Sequence, residues 1–301
     1  MAVIGLALLN IVLVLLLAPL LEGITRKLKA IIQSRKGPPI IQPYLDLLKL
    51  LGKEDLSPGG GALFRLAPVA CLGAILVAAA LTPMGGKPAL GGIAGDMIVW
   101  VYFISLAAVA VILGAFASRN PYAYVGASRE MMMVLTVEPV AIVALLAAAV
   151  KAKTLLMGGM IDWQLTHGAT ISMAFAGVAF FLALQANVGK LPFDIPEAET
   201  EIMDGPFIEY SGPGLALFKT AFYARQLIFA FVLVSVFVPW PSVKVLPLSL
   251  IVTLAKVLIA YIVIGVIDAV NPRLRIDQSM GYFSRVVFVS LAALALAMIG
   301  V

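Results

Sequence analysis

Residues 97–118, MIVWVYFISLAAVAVILGAFAS, run for twenty-two positions without a charged side chain. A helix of about 20 such residues crosses the roughly 30 Å hydrocarbon layer of a bilayer. Polar and apolar residues do not alternate here with the period of two that a barrel strand shows, and in hydrocarbon every backbone N–H and C=O has to be paired within the protein, which leaves a helix. Outward from this run, comparable stretches fall at 1–21, 66–86, 131–150, 168–189, 215–239, 245–267 and 283–301, making eight. The whole chain is 62% hydrophobic and only 12% charged, with a mean hydropathy of +1.07. Ordinary soluble domains carry roughly twice that charge, so a water-soluble globule is excluded. The expected fold is all-α, a single transmembrane domain over 1–301 with about eight spans. Residues 1–21 lack a charged n-region, which predicts a retained first span rather than a cleaved leader.

Orientation follows from the basic residues of the connections. The odd-numbered loops hold Arg26, Lys27, Lys29, Arg35, Lys36, Lys49, Lys53, Arg65, Arg119, Arg129, Lys190, Arg273, Arg275 and Arg285, fourteen in all; the even-numbered ones hold Lys87, Lys151, Lys153 and Lys244. Fourteen against four places the odd loops in the cytoplasm and both termini outside, in a multi-pass arrangement. The net charge of +5 therefore reports orientation and lipid contact, not nucleic-acid binding. One cysteine, Cys71, and one histidine, His167, are too few to build a zinc, haem or iron–sulfur site, so the chain is expected to bind no metal or redox cofactor of its own.

Two loops are not ordinary connections. In the first, residues 22–65, EGITRKLKAIIQSR mixes Ile24, Leu28, Ile31 and Ile32 with cations, the pattern of a helix lying in the headgroup plane. After GPP, a second amphipathic helix is expected in IIQPYLDLLKLLGKED, with Pro43 in its first turn and Asp46, Lys49 and Lys53 on one edge. SPGGG at 57–61 reads as a flexible lead. The other is the acidic loop 187–214, which includes NVGKLPFDIPEAETEIMDGPFIEYSGP. It gathers Asp194, Glu197, Glu199, Glu201, Asp204 and Glu209, six of the chain's sixteen acids, against Lys190 alone. Prolines at 192, 196, 206 and 213 forbid a continuous helix. EAETEIMDG has room for two turns, with Glu197 and Glu201 four apart on one face. Crowded carboxylates raise one another's pKa, which suits proton exchange near neutral pH; the simpler reading is a solvated acidic loop.

Ionisable groups also fall inside spans, where they are costly and face the bundle interior or water. Glu138 precedes Pro139 in the fourth span, with Arg129 and Glu130 at its end; Lys219 and Arg225 lie in the sixth, Lys256 in the seventh, and Asp268 near the end of the seventh. A carboxylate cannot snorkel far, so Glu138 is the strongest candidate for a proton relay, whereas a lysine such as Lys219 can reach the interface.

PFDIPEAETEIMDGPFIEYSG resembles the third-cytoplasmic-loop signature of the eight-helix membrane subunit of respiratory complex I and of its homologue in energy-converting, membrane-bound nickel–iron hydrogenases. GASRE followed by Glu138, and NPRLRIDQSM at 271–280, are similar to other loops of that family. RKGPPIIQPYLDLLKLLGKE is closer to the hydrogenase-type subunits, of formate hydrogenlyase and archaeal type, than to complex I. Where complex I usually has a Glu, this chain has Phe222, with Lys219 and Arg225 nearby. The resemblance implies a non-redox membrane subunit of an oxidoreductase in a prokaryotic cell membrane. Partner large and small subunits would carry the nickel–iron centre and iron–sulfur clusters, docking at Arg35, Lys36, Arg129, Arg273, Arg275 and Asp277. Antiporter-like and small membrane subunits would lie alongside. It further implies coupling of electron transfer to H⁺ or Na⁺ translocation through Glu138, Asp194, Glu197, Glu199, Glu201, Asp204, Glu209, Lys219, Arg225, Lys256 and Asp268. The alternatives are the quinone-chamber subunit of complex I, the same anchor in a sulfur-reducing relative, and a free-standing proton-coupled transporter.

Overall fold

The computed structural model describes residues 2–56, 61–85, 96–243 and 246–300. Their order is α1 (Ala2–Ile32), α2 (Gln42–Leu51), α3 (Gly61–Leu81), α4 (Met97–Ala117), α5 (Pro121–Ala152), α6 (Met157–His167), α7 (Ile171–Asn187), α8 (Glu199–Ile202), α9 (Gly212–Val232), α10 (Leu246–Val270) and α11 (Ile276–Ile299). A π-helical segment, Leu233–Phe237, prolongs α9. Among the described residues seven helices are long and apolar enough to cross a membrane. The remaining expected span, 168–189, is α7, whose 17 residues reach only about 26 Å. The protein is an all-α, multi-pass membrane protein of about eight helices. Most of the SPGGG segment lies outside the described residues.

The α9 span is the most enclosed, with Tyr223 through Val232 all buried. It packs against α1 and α3, while α5, α7 and α11 form a second cluster and α3 pairs with α4. Small residues let these helices approach closely, as Ala74, Ala78 and Ala79 of α3 and Ala107, Ala108 and Ala110 of α4 illustrate by their burial.

Three boundaries differ from the sequence reading. The segment expected as a separate in-plane helix continues α1 to Ile32, because nothing in it breaks a helix and Glu22 pairs with Arg26 one turn on. Gly23 admits the returning chain here, since a Cβ on it would stand 1.9 Å from the Ile40 carbonyl oxygen. α5 begins at Pro121, capped by the Asn120 side chain, so Arg129, Glu130 and Glu138 share one helix. In the acidic loop the helix is a single turn, Glu199–Ile202, ended by left-handed Met203, Asp204 and Gly205. Glu197 precedes that turn, so it does not share a helical face with Glu201. The second amphipathic helix is α2, with Pro43 in its first turn and Leu45, Leu48 and Leu51 exposed.

The acidic loop lies against α5 at Gly126. A Cβ there would come within 2.5–2.8 Å of Pro206 and Gly205, and one on Gly205 within 2.2 Å of the Pro196 carbonyl oxygen. Gly126→Ala should therefore destabilise the protein by about 1–3 kcal/mol through overpacking, whereas Gly73→Ala, in a helix with nothing within 4 Å, should not. Thermal unfolding of the two variants in detergent checks the contrast.

Candidate functional site: a buried chain of carboxylates

Within α1, Glu22 is only 3% exposed. Its two carboxylate oxygens accept hydrogen bonds from Lys190 Nζ at 2.8 and 2.9 Å, and Arg26 Nε adds one at 3.3 Å. Arg26 also donates to Asp46 of α2 at 3.2 Å and to the Tyr223 hydroxyl of α9 at 2.7 Å. One turn further along α1, Lys29 pairs with Asp268 of α10 at 3.0 Å, and the second oxygen of Asp268 accepts from the Leu191 N–H at 3.1 Å. The start of the acidic loop is thus held to α1 and α10 by charge-assisted bonds.

Of these groups, Glu22, Arg26, Lys190 and Tyr223 border a chamber of about 230 Å³ whose lining also includes Glu197, Asp204 and Lys219. Burial works against the Lys190 ammonium, but the Glu22 carboxylate, helped by Asp268 and Tyr223, more than offsets it, and the Lys190 pKa is raised. Glu197 is the opposite case. Burial, reinforced by the negative charges of Asp194, Glu130 and Asp204, pushes its carboxyl from an ordinary 4.5 up to about 8, with Lys190 opposing.

Glu197 and Phe222 border a second, smaller cavity of about 20 Å³, whose wall includes Glu130, Asn187 and Arg225. That is room for one water. Arg225, 4% exposed, donates to Asn187 Oδ1 at 2.8 Å and stands 3.9 Å from Glu130 Oε1. Asn187 in turn borders a third void of about 10 Å³ beside Ser105 and Glu138. There Ser105 Oγ donates to Glu138 Oε2 at 2.8 Å, and Glu138 Oε1 is buried without a partner. Glu197, Glu130 and Glu138 thereby border a row of small cavities that leads from the loop into the span, the innermost walled mostly by apolar side chains such as Trp100, Ile104, Leu145 and Phe229.

A family model described as NADH dehydrogenase matches residues 4–299. The chain belongs to that family. Formate hydrogenlyase subunit 4 of Escherichia coli (strain K12) is 33% identical over 292 residues, covering 92% of this chain and 94% of the relative. Hydrogenase-4 component C of the same organism is 36% identical over 279 residues, covering 87% and 85%. NADH-ubiquinone oxidoreductase chain 1 of Triticum aestivum is 31% identical over 298 residues, covering 92% and 91%. Among solved structures, a chain of the membrane-bound sulfane sulfur reductase, an archaeal respiratory membrane complex, superposes with a TM-score of 0.87 at 27% identity, covering 99% and 100%.

Within this family fold the remaining candidates separate. Asp194 pairs with Arg273 at 2.5 Å, and Arg273 also reaches Thr200 at 2.9 Å. Glu201 pairs with Arg129 at 2.7 Å, and that bond lowers its pKa. Arg129 and Arg273 therefore fasten the acidic loop to α5 and to the segment before α11. Glu209 accepts from Asn120 at the head of α5, away from the chamber. The Glu199 side chain lies outside the described residues. Lys256 is not brought to the cluster: its ammonium donates to the carbonyls of Val238, Pro239 and Pro241, at 3.1, 2.8 and 3.2 Å, beyond the opposite end of α9. Arg35, Lys36, Arg275 and Asp277 are exposed. Among the described residues, no group of three His, Cys, Asp or Glu side chains converges as a metal site.

Sequence reasoning missed Glu22, Ser105, Asn187 and Tyr223. Glu22 had a signal, an opposite charge four residues on at Arg26, but its place after an apolar run made it read as a boundary residue. Ser105 and Asn187 carried no signal beyond being polar in or beside a span.

The raised Glu197 pKa fixes the sign of a pH effect. As pH rises through about 4.5 the unfolded chain gives up this proton while the folded chain keeps it to about 8, so this group's contribution to stability falls across that window and is level above it. Glu197→Gln should match wild type near pH 4.5 and unfold at a progressively higher temperature than wild type up to about pH 8. Melting curves over that range read it directly.

Proposed function

We propose that this chain is the membrane subunit of a complex I-like energy-converting hydrogenase, in a prokaryotic cell membrane with the acidic loop facing the cytoplasm. It anchors a soluble arm whose own subunits carry the nickel–iron centre and iron–sulfur clusters, and it couples electron transfer in that arm to translocation of H⁺ or Na⁺. The observation that carries this reading is the row of cavities from Glu197 through Glu130 and Asn187 to Glu138. A carboxyl that titrates near neutral pH at the loop, linked through a water-sized void to Asn187 and through a tighter, mostly apolar one to a carboxyl inside a span, suits proton transfer between a redox arm and the membrane.

In the mechanism, a charge change in the docked arm alters the field at the acidic loop, and Glu197 responds by taking up or releasing its proton. Asn187, held by Arg225, and the water-sized void beside Glu130 carry the change inward. Glu138, its hydroxyl partner Ser105 already in place, receives it and passes it toward neighbouring membrane subunits. The arm docks on the exposed Arg35, Lys36, Arg275 and Asp277; Arg129 and Arg273 hold the loop in its docking shape.

The identity of the arm has two supports. Full-length similarity to formate hydrogenlyase subunit 4 and hydrogenase-4 component C favours proton reduction. The structural match to the sulfane sulfur reductase favours a sulfur-reducing arm as the second reading. Purifying the chain from native membranes in mild detergent and assaying hydrogen evolution, polysulfide reduction and quinone reduction separates them. Hydrogen evolution with a co-purifying nickel–iron subunit is expected, and a chain that purifies alone would overturn the assignment. In vesicles, Glu138→Gln should retain the redox reaction and lose ion transport about tenfold or more; undiminished transport removes Glu138 from the path.

A further inference from the structure

The chamber holds an ion pair that the relay as described does not use. We propose that Glu22 is a positioning residue: it holds the Lys190 ammonium away from Glu197, and Lys190 changes partner from Glu22 to Glu197 when Glu197 gives up its proton. The inference rests on the relay reading only in placing Glu197 on a proton path.

Both hydrogen bonds that Lys190 donates go to Glu22. Glu22 cannot follow a departing ammonium, because it is buried within α1 and held in place by Arg26 and by the Thr25 hydroxyl at 3.3 Å. Lys190 is different. It stands three residues past the end of α7, behind Gly189 with its φ of +66°, on a long side chain reaching into the chamber. Glu197 borders the same chamber, and a Cβ on Gly189 would lie 3.9 Å from Glu197 Oε1. The two carboxylates thus flank the root of one lysine.

The groups facing Glu197 make Lys190 the responsive cation. From α1 come Glu22 and Arg26; from α5, Glu130; from α9, Lys219, Tyr223 and Arg225; from its own loop, Lys190, Asp194 and Asp204. Arg26 is bound by Glu22, Asp46 and Tyr223, and Arg225 by Asn187 and Glu130. The field of Lys190 opposes the rise in the Glu197 pKa. When the carboxyl loses its proton to chamber solvent, a new negative charge appears beside Asp194, Asp204 and Glu130 and draws the ammonium across. Glu22 keeps Arg26. No other bond is made or broken, and the change of partner moves one positive charge from the α1 wall to the acidic loop.

The test is a protonation midpoint. In the intact complex, the infrared carboxyl band of Glu197, assigned by its loss in Glu197→Gln, is followed against pH. Glu22→Gln frees Lys190, and the midpoint should fall by about one unit or more, the effect of an opposite charge brought close. Glu22→Asp should restore most of the wild-type value, and Lys219→Gln should leave it in place. An unmoved midpoint in an assembled Glu22→Gln complex overturns the proposal. If that variant fails to assemble, Lys190→Gln decides: removing the counter-ion should raise the midpoint, and no change overturns the proposal. The readout is independent of pumping, so a shifted midpoint beside normal transport in Glu138→Gln would sink the relay and leave this switch standing.

Discussion

A carboxylate taken out of water must find a positive partner or keep its proton, and Glu22 takes the first course. Its burial is tolerable because Lys190 and Arg26 satisfy both of its oxygens. Arg26 carries the connection on to α2 and α9, and Lys29, one turn further, carries it to α10. Helices distant in sequence are thereby set against the beginning of the acidic loop. Glu197 takes the second course, and the chamber between the two accommodates one ionised and one protonated carboxyl within a single polar space.

The fold was legible because hydrocarbon imposes so few solutions. Runs such as 97–118 admit only a helix, and α4 occupies nearly those bounds. The acidic loop was legible as a special segment, since prolines and crowded acids are visible in one dimension. Its helical length was not: whether EAETEIMDG makes one turn or two depends on Gly205 and Pro206 lying against Gly126, a contact between residues some eighty positions apart. The reach of α1 was misjudged because cations and isoleucines alternate there much as they do in a helix lying on a membrane.

Among the candidate residues, Glu138 stood out by chemistry and Glu197 only as one of six crowded acids, and both border the row of cavities. Lys256 was a candidate as well, and its ammonium instead donates to three carbonyls at the other end of the bundle. An isolated charge in a span announces that a partner exists, not where it is. Ser105 and Asn187 show the converse. Each becomes meaningful only through what it faces, Glu138 for one and Arg225 for the other.

The contact between Gly126 and the Gly205–Pro206 corner has a mechanical side. Apart from the Pro206 ring, loop and helix meet backbone to backbone, with little between them to absorb a push. Arg129, three residues along the same helix, is tied to Glu201 of the loop as well. Glu130 and Glu138 ride on that helix. A displacement of the loop would therefore be felt along α5 toward Glu138, which stands directly before the helix's internal Pro139.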